Sequence, residues 1–524
     1  MKKAFKRYWA VCLVFLLVSA VCLLFSCRKS GMFIDEIYTY GLSNSYYAPY
    51  VTDIKGGSAL GETYTHDELF DYLAVTQGEG FNYGSVSYDQ AMDVHPPLYY
   101  WIFHTLCSLF PGSFTKWTGL ALDYVIYMLC LLALYKLLMQ LFGSRPIACA
   151  GTGLYGLSTI GLSTMLMIRM YVLLTLWSVL LAYLVVRMMR DFRPWLAPLA
   201  GLCILAGLLT QYYFVFYAFF LCAAAVLYWL LKKDWRALKY FVPFALGGAL
   251  ALLLVFPQCI SQLTADKLVS GDNAVENLAA VSQWPSRILY YVAELRHGMK
   301  AAIYVSLLAL LLIILGFKRL SRPIFSPAVQ QSLVVLLPAL LVFPLVAIIG
   351  PVTDQRYVYN IAPIFIVGSC LLLYLLLPLV QSTRRDSILS LCLLAVMALA
   401  LWQARCVPPA YIYPEHEQYN ALVQQHKDSP CVYVTDDFFA PITQDLIQLL
   451  AFDDMYVTNA QDLASAKDYV GQAESFVAYI DISEYWSSGY DPEATSQALA
   501  EALGYSRAEP LYQYGLSATY VISK

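Results

Sequence analysis

Long apolar runs separated by short polar connections dominate the first 405 residues. Most of these runs approach or reach the roughly 20 residues that a helix needs to cross a bilayer. With the N-terminal run at 8–27, which follows a basic start, the pattern predicts about eleven membrane spans. The later runs are 118–142, 147–164, 168–188, 195–210, 213–231, 239–257, 299–317, 328–350, 358–380 and 387–404.

The apolar run at 97–110 is treated separately, because about 14 residues before a Pro-Gly pair are too few for a span. Such a segment is typical of a helix that lies at the membrane surface. The side chains of Tyr99, Tyr100, Trp101 and His104 suit that layer. Counting the segment as a span would move the later basic connections to the outside.

Basic connections orient the chain, because cytoplasmic loops are enriched in lysine and arginine. Under the predicted count, the connections at Arg145, 187–193, 232–239, 318–322 and Arg384-Arg385 all lie on the same side as the basic N-terminus. We therefore expect a multi-pass cell-membrane protein with a cytoplasmic N-terminus. The loop at 28–117 and everything after Arg405 are then extracytoplasmic.

The last part of the chain, 406–524, has a different pattern. The segments CVYVT, SFVAYIDI and ATYVIS favour strands, whereas QDLIQLLA and PEATSQALAEALG favour helices. The sequence thus predicts a mainly α membrane helix bundle at 1–405, with its large first outer loop, followed by a small extracytoplasmic α/β domain at 406–524.

Composition supports the membrane assignment. Of 524 residues, 60% are hydrophobic and only 13% are charged, which is too apolar for a water-soluble globule. The net charge of -3 gives no indication of a nucleic-acid partner. Membrane lipids are the expected surroundings, and aromatic belts at the interface account for most of the 42 tyrosines.

Two polar stretches of the first outer loop carry candidate chemistry. FIDEIYTY, at 33–40, places Asp35 and Glu36 just beyond the first span. DVHPPLYYW, at 93–101, holds Asp93 and His95 at a helix entrance, since two prolines favour the first helical turn and push the preceding residue to an extended conformation. A helix N-terminus of this kind either binds an anion or is capped by its own aspartate.

These two stretches resemble the GT-C membrane glycosyltransferases, in particular the protein O-mannosyltransferases and the bacterial aminoarabinose-type transferases that use polyprenyl-phosphate sugars. The resemblance covers residues 5–405 and continues at three later points. Arg169-Met170-Tyr171 resembles the R-x-Y element, Gln211-Tyr212-Tyr213 stands where relatives often have H-Y-Y, and Arg356-Tyr357 with Pro363 resembles an RY-then-proline element.

The resemblance implies a hexosyl- or pentosyltransferase in which Asp35 is the catalytic base and Glu36 supports it. Arginine forks match phosphate oxygens, so Arg169 and Arg356 are expected on the donor phosphate, although an arginine at a helix end also commonly reaches lipid headgroups. The further expected donor-phosphate or substrate-binding residues are His95, Tyr171, Tyr357, Asp93 and Tyr212.

No cofactor is expected. Gln211 replaces the frequent histidine, and the outer loops show no local ligand spacing, so the sequence predicts a metal-independent enzyme. The expected partners are a polyprenyl-phosphate sugar donor and a lipid, glycan or protein acceptor. Neither the sugar nor the acceptor follows from the residues.

Two other functional classes compete with a transferase. A transporter or flippase of a lipid-linked saccharide would also have many spans, but it would more often show mid-membrane charges and an internal repeat. A membrane anchor whose C-terminal domain does the work would leave Asp35 and the HPPL stretch without a role. The transferase is therefore the preferred interpretation.

Overall fold

The computed structural model describes residues 2–264, 275–316, 326–379, 385–436, 438–483 and 489–524. The chain forms two compact units. The first, which we call the membrane unit, comprises Met1–Cys27, Val94–Tyr99 and Leu120–Ala410. The second, the sheet unit, comprises Arg28–Asp93, Tyr100–Gly119 and Tyr411–Lys524. The division into functional domains at residue 405 stays a prediction.

Helices make up most of the chain before the C-terminal region. In chain order they are α1 (Lys2–Arg28), α2 (Ile34–Asn44), α3 (His66–Leu73), α4 (Tyr83–Met92), α5 (Leu98–Ser108), α6 (Lys116–Phe142), α7 (Arg145–Gly156), α8 (Thr159–Leu166), α9 (Tyr171–Arg190), α10 (Leu196–Leu208), α11 (Phe214–Lys232), α12 (Trp235–Val255), α13 (Cys259–Thr264), α14 (Trp284–Gly298), α15 (Lys300–Gly316), α16 (Pro327–Ile349), α17 (Ala362–Leu376) and α18 (Arg385–Cys406).

Seven helices within the described residues are long and apolar enough to cross a membrane. They are Trp9–Arg28, Lys116–Phe142, Tyr171–Arg190, Phe214–Lys232, Trp235–Val255, Pro327–Ile349 and Ser387–Cys406. An eighth candidate is the pair Val281–Gly298 and Lys300–Gly316, which is bent by 88°. The chain is therefore a mainly helical, multi-pass membrane protein, as the apolar pattern predicts.

Fewer helices have spanning length than the eleven runs predict, because several runs are interrupted or short. The run at 147–164 is divided into α7 and α8, and Ser158 begins the second helix by accepting a hydrogen bond from Gly161 N. Both helices are buried, which suits core helices rather than lipid-facing spans. The runs at 195–210 and 358–380 form helices of 13 and 15 residues. The basic segment 318–322 and Arg384 lie outside the described residues.

Helix α5 confirms that the run at 97–110 forms a helix too short to span, since it has 11 residues. The orientation of its side chains differs from the prediction. Tyr99 and Tyr100 are fully buried, and His104 is buried and accepts a hydrogen bond from Asn82 N at 3.0 Å. Tyr99 donates to the buried Asp123 at 2.8 Å. The expectation that these three rings face a lipid layer is wrong, because they lie inside the protein, where Tyr99 and His104 have polar partners.

The sheet unit contains a six-stranded mixed sheet in the order β1-β3-β2-β4-β6-β5. Its strands are β1 (Thr63–Thr65), β2 (Cys431–Val434), β3 (Asp454–Thr458), β4 (Ser475–Asp481), β5 (Arg507–Tyr514) and β6 (Ser517–Ser523). Strand β2 pairs in parallel with β3 and β4, and the other pairs are antiparallel. The helices of the C-terminal region are α19 (Glu415–Gln424), α20 (Phe439–Leu449), α21 (Lys467–Val470) and α22 (Pro492–Leu503).

The predicted C-terminal strands and helices are confirmed as β2, β4, β6, α20 and α22. Alternating apolar side chains of the strands pack with α22 around Phe476, Ile480 and Leu499. One pairing does not follow from the sequence pattern. Strand β1 belongs to the loop at 28–117, yet it pairs antiparallel with β3, with Tyr64 opposite Met455. The loop thereby supplies an edge strand to the C-terminal sheet.

Candidate functional site

Asp35 lies in the first turn of helix α2, at its second residue. Its side chain is partly exposed. Backbone N–H groups at the start of a helix point outward and favour negative charge nearby. The first turn of α2 therefore holds the Asp35 carboxylate in place, and a general base needs to be held in place in this way.

Glu36, the next residue, has structural contacts. One carboxylate oxygen accepts from the Phe33 backbone N–H at 2.6 Å, so the side chain satisfies a donor at the helix start. The same oxygen lies 2.8 Å from Lys29 Nζ, and neither side chain is exposed. Lys29 also donates to the Tyr411 carbonyl at 2.6 Å. The Lys29–Glu36 pair thus ties α2 to the chain segment that follows α18.

Two tyrosines, Tyr38 and Tyr50, lie in the same region of the sheet unit as Asp35 and Asp93. Burial raises the pKa of Tyr38 well above its usual value, and the nearby Asp35 and Asp93 add to the shift, whereas a hydrogen bond with Thr443 opposes it. Burial also raises the pKa of Tyr50, again with a contribution from Asp93. Both phenols are consequently neutral at physiological pH. Asp35, Asp93 and two neutral hydroxyls share one region of the sheet unit.

Helix α20 supports this region. The Tyr50 ring stacks on Phe439 with centroids 4.0 Å apart, and the Tyr38 ring meets Phe439 edge-on at 6.0 Å. Aromatic pairs of this kind add to the stabilisation from burial. The C-terminal region of the chain therefore helps to place the helix that carries Asp35.

The membrane unit brings His95 and Arg169 together. Arg169 lies in the four-residue break between α8 and α9 and is only 3% exposed. Its guanidinium Nη2 lies 3.5 Å from His95 Nδ1. Pro96 and Pro97 are buried, and Leu98 N donates to the Leu209 carbonyl at 2.9 Å, which fixes the HPPL turn. A buried guanidinium stays charged and is well suited to bind an anion.

Arg356 belongs to a short 3-10 helix, Gln355–Val358, just before α17. Asp354 begins this turn, since its carboxylate accepts from Arg356 N at 2.9 Å. The carboxylate also lies 3.6 Å from Arg356 Nε, and the arginine side chain is 12% exposed. The guanidinium carbon sits 5.4 Å from the centroid of the Tyr357 ring. The backbone and an ion pair thus fix the direction of this arginine.

Ring contacts gather the predicted residues of the membrane unit at one end of its helices. Tyr171, the first residue of α9, meets Tyr359 at 6.2 Å. Tyr213, at the start of α11, meets Tyr357 at 5.5 Å. Tyr212 contacts Gln262, with Tyr212 Oη donating to Oε1 at 2.5 Å. Tyr171 and Tyr213 therefore stand at the starts of α9 and α11, and each contacts a tyrosine of the 357–359 segment.

The structure assigns Asp35, Glu36 and Asp93 to the sheet unit and the other predicted site residues to the membrane unit. Their chemical roles stay predictions. Sequence reasoning missed Lys29, Tyr38 and Tyr50. The sequence does contain a signal for Lys29. Arg28-Lys29 is a basic pair in a loop that is predicted to be extracytoplasmic, where basic residues are less frequent.

The described residues include no group of three or more His, Cys, Asp or Glu side chains placed to hold a metal ion. The acids whose charge raises the pKa of Tyr38 or Tyr50 are Asp35, Asp53 and Asp93. Metal independence stays a prediction.

Comparison with protein families finds a match over about a third of the chain. Residues 94–260 match the family model described as dolichyl-phosphate-mannose-protein mannosyltransferase. This segment contains the HPPL turn, the Arg169 break and the Tyr212-Tyr213 turn. A comparison with curated proteins finds no match.

Solved structures match over nearly the whole chain. The crystal structure of ArnT from Cupriavidus metallidurans bound to undecaprenyl phosphate superposes with a TM-score of 0.55 at 11% identity, covering 98% of both chains. The apo form of the oligosaccharyltransferase from Archaeoglobus fulgidus gives a TM-score of 0.52 at 12% identity, covering 99% of this chain and 75% of the other. At these identities, the likeness is one of fold.

Proposed function

We propose that this chain, which has the GT-C glycosyltransferase fold, transfers a sugar from a polyprenyl-phosphate donor to an acceptor at the outer face of the membrane. The observation that carries the proposal is the buried Arg169 beside His95, at the turn between two helices of a chain with this fold. A guanidinium keeps its charge inside the protein, and its planar fork matches phosphate oxygens. A lipid-linked phosphate is an anion of this kind at the membrane surface.

Donor binding would use the cationic end of the membrane unit. Arg169 and Arg356 offer planar forks to the phosphate oxygens, and His95 adds a ring nitrogen. Tyr171, Tyr212 and Tyr357 would add aromatic faces and hydroxyls to the donor site, and the Arg356 guanidinium carbon lies 5.4 Å from the centroid of the Tyr357 ring. Negative charge grows on the phosphate as the bond to the sugar breaks, so these cations bind the transition state more tightly than the ground state.

Proton transfer is assigned to Asp35. In the proposed step, the acceptor oxygen or nitrogen forms a bond to the anomeric carbon of the sugar, while the bond from that carbon to the phosphate oxygen breaks. Asp35 takes the proton of the acceptor, and polyprenyl phosphate leaves with the bonding electron pair. Asp93 contributes to substrate binding, and Glu36 holds the first turn of α2 in place through Phe33 N and Lys29.

The proposed orientation places the N-terminus in the cytoplasm and the C-terminal region outside. It rests on the basic connections, which include Arg145 and the arginines at the end of α9. Single cysteines introduced at exposed positions of the C-terminal region, such as Asp428, would react with an impermeant maleimide in intact cells under this orientation. Labelling that requires cell lysis would contradict it.

The test of function uses the purified full chain in liposomes. A polyprenyl-phosphate donor with a labelled sugar is supplied together with lipid, glycan or protein fractions as acceptors. We expect label in an acceptor and release of free polyprenyl phosphate, with no transfer from a nucleotide sugar. If the labelled lipid changes leaflet with its sugar–phosphate bond intact, the chain is a flippase and the proposal is wrong.

A further inference from the structure

Helix α14 holds the chain segment that leads to Arg356. Arg287, in the first turn of this helix, donates through Nε to the Ala347 carbonyl at 3.1 Å and through Nη1 to the Asn277 side-chain oxygen at 3.3 Å. Its Nη2 donates to the Gly350 carbonyl. One planar guanidinium therefore binds three acceptors, each through a different nitrogen.

Tyr291 lies one turn later on the same face of α14. It is fully buried, donates to the Val352 carbonyl at 3.3 Å and accepts from Asp354 N at 3.3 Å. The phenol therefore bridges the backbone on both sides of Thr353. Arg287 holds the beginning of the segment 347–354, and Tyr291 holds its end.

Two further contacts close this arrangement. Asn277 donates to the Gly350 carbonyl at 2.8 Å, and its own carbonyl accepts from Trp284 Nε1 at 3.1 Å. Gly350 passes so near that an added Cβ would lie 3.1 Å from the Val346 carbonyl oxygen and 3.4 Å from Tyr291 Oη. The segment thus has little room to move while α14 stays in place.

A series of hydrogen bonds and an ion pair connects Tyr291 to Arg356 through Asp354. Tyr291 fixes Asp354 N, and the Asp354 carboxylate in turn accepts from Arg356 N and pairs with its guanidinium. We propose that Arg287 and Tyr291 are positioning residues, which aim the Arg356 guanidinium at the donor phosphate through their contacts with the segment 347–354. This inference rests on the proposed function, since it concerns the same donor site.

A purely local role for Arg287 makes a different prediction. The last carbonyls of a helix lack partners, and a cation near them is stabilising. If Arg287 only caps the end of α16, its loss would weaken that helix and leave the orientation of Arg356 unchanged. Two experiments distinguish these roles. One measures the mobility of the 350–359 segment, and the other measures the energetic coupling of Tyr291 to Arg356.

The first experiment measures hydrogen exchange of the 350–359 segment in the full chain, in nanodiscs and without any substrate. Arg287→Ala and Tyr291→Phe are each expected to speed exchange there about tenfold, because each removes hydrogen bonds that restrain the segment. The matched controls, Arg296→Ala and Tyr290→Phe, change exposed side chains of the same helix and should leave exchange unchanged. Unchanged exchange in Arg287→Ala and Tyr291→Phe would overturn the proposal.

The second experiment is a double-mutant cycle on donor kinetics. If Tyr291 acts through Arg356, Tyr291→Phe raises the donor KM about tenfold in the presence of Arg356 and has little effect in Arg356→Ala. Additive effects of the two substitutions would overturn the positioning role while transfer itself stands. Absence of any transfer by the wild-type chain would instead contradict the proposed function. The exchange experiment needs no substrate, so it would still show whether Arg287 and Tyr291 restrain the 350–359 segment.

Discussion

Lys29 Nζ lies 2.8 Å from Glu36 Oε2 in the sheet unit, and both side chains are completely buried. The pair joins the residue that follows the first span to the helix that carries Asp35. A buried charge that loses its partner is strongly destabilising. Glu36→Gln is therefore expected to lower the free energy of unfolding of the full chain by about 3–5 kcal/mol.

Thermal or denaturant unfolding measures this effect. Glu474→Gln is the matched control, because Glu474 pairs with Lys524 at the surface and its side chain is 87% exposed. Its substitution should change stability by less than about 1 kcal/mol. Equal stability of Glu36→Gln and Glu474→Gln would show that the buried pair does not restrain α2.

Gly31, two residues after Lys29, packs closely against the ring of His416. A Cβ at this position would lie 2.4 Å from His416 Cγ, inside the ring's contact distance. We expect Gly31→Ala to destabilise the chain by about 1–3 kcal/mol through overpacking. Gly80→Ala is the control, since its Cβ would meet Ser108 Cβ at an ordinary 3.6 Å.

The origin of the Gly31 effect can be separated by combining substitutions. In the background of His416→Ala, the ring is absent and Gly31→Ala should cost much less than in the wild type. The same cost in both backgrounds would mean that the clash with His416 is not its cause. Unfolding midpoints of the four chains provide the comparison.

Asp89 makes the stability of the sheet unit depend on pH. Burial raises its pKa to about 8, the hydrogen bond from Ser45 opposes the shift, and Asp53 adds to it. In the unfolded chain the Asp89 carboxyl has an ordinary pKa of about 4. The folded state therefore retains a proton that the unfolded state loses. The associated stability is complete below about pH 4 and is lost as the pH rises through about 8.

The expected result is a lower unfolding temperature of the wild type at about pH 9 than at about pH 5. Asp89→Asn, which keeps the shape and has no charge, should flatten this dependence. Asp428→Asn changes an exposed aspartate and should leave it as steep as in the wild type. A steep profile in Asp89→Asn would assign the dependence to another group.

Arg169 and His95 form the contact on which donor binding depends in the proposal. Arg169→Ala is expected to lower kcat/KM for the donor about 100-fold, and Arg169→Lys should recover only part of this loss because the planar fork is missing. His95→Ala should cause a smaller loss of about tenfold, since the arginine charge remains. Arg193→Ala removes an arginine that is 54% exposed and serves as the control. Equal kinetics of Arg169→Ala and Arg193→Ala would contradict a phosphate role.

Local patterns predict much of this fold, and long-range pairing accounts for what they miss. The strands β2, β4 and β6 follow from β-branched and aromatic runs, but nothing local distinguishes Thr63–Thr65 from other loop residues unless β3 lies beside it. Likewise, an apolar run has the same composition whether lipid or protein surrounds it. The run that forms α7 and α8 therefore predicts a span, although both helices are buried in the protein.

The residues of the candidate site also divide into those that a local sequence pattern predicts and those that depend on long-range contacts. The motifs that resemble a known family point to Arg169, His95 and Arg356, and the two arginines near the ends of apolar runs are also visible in the sequence pattern. Arg287 and Tyr291 give no such signal, since their importance comes only from carbonyls that lie about 60 residues further along the chain. Supporting contacts of this kind depend on tertiary structure and leave little local pattern.

In the proposed reaction Asp35 is the base of the sugar transfer, and the single-turnover rate of Asp35→Asn with a labelled polyprenyl-phosphate donor tests this role. Asp67→Asn is the matched control, because Asp67 occupies the same second position of its helix, α3, and is exposed. We expect Asp35→Asn to bind the donor as the wild type does but to transfer sugar about 100- to 10,000-fold more slowly, while Asp67→Asn is unaffected. Equal transfer rates for folded Asp35→Asn and the wild type would contradict it.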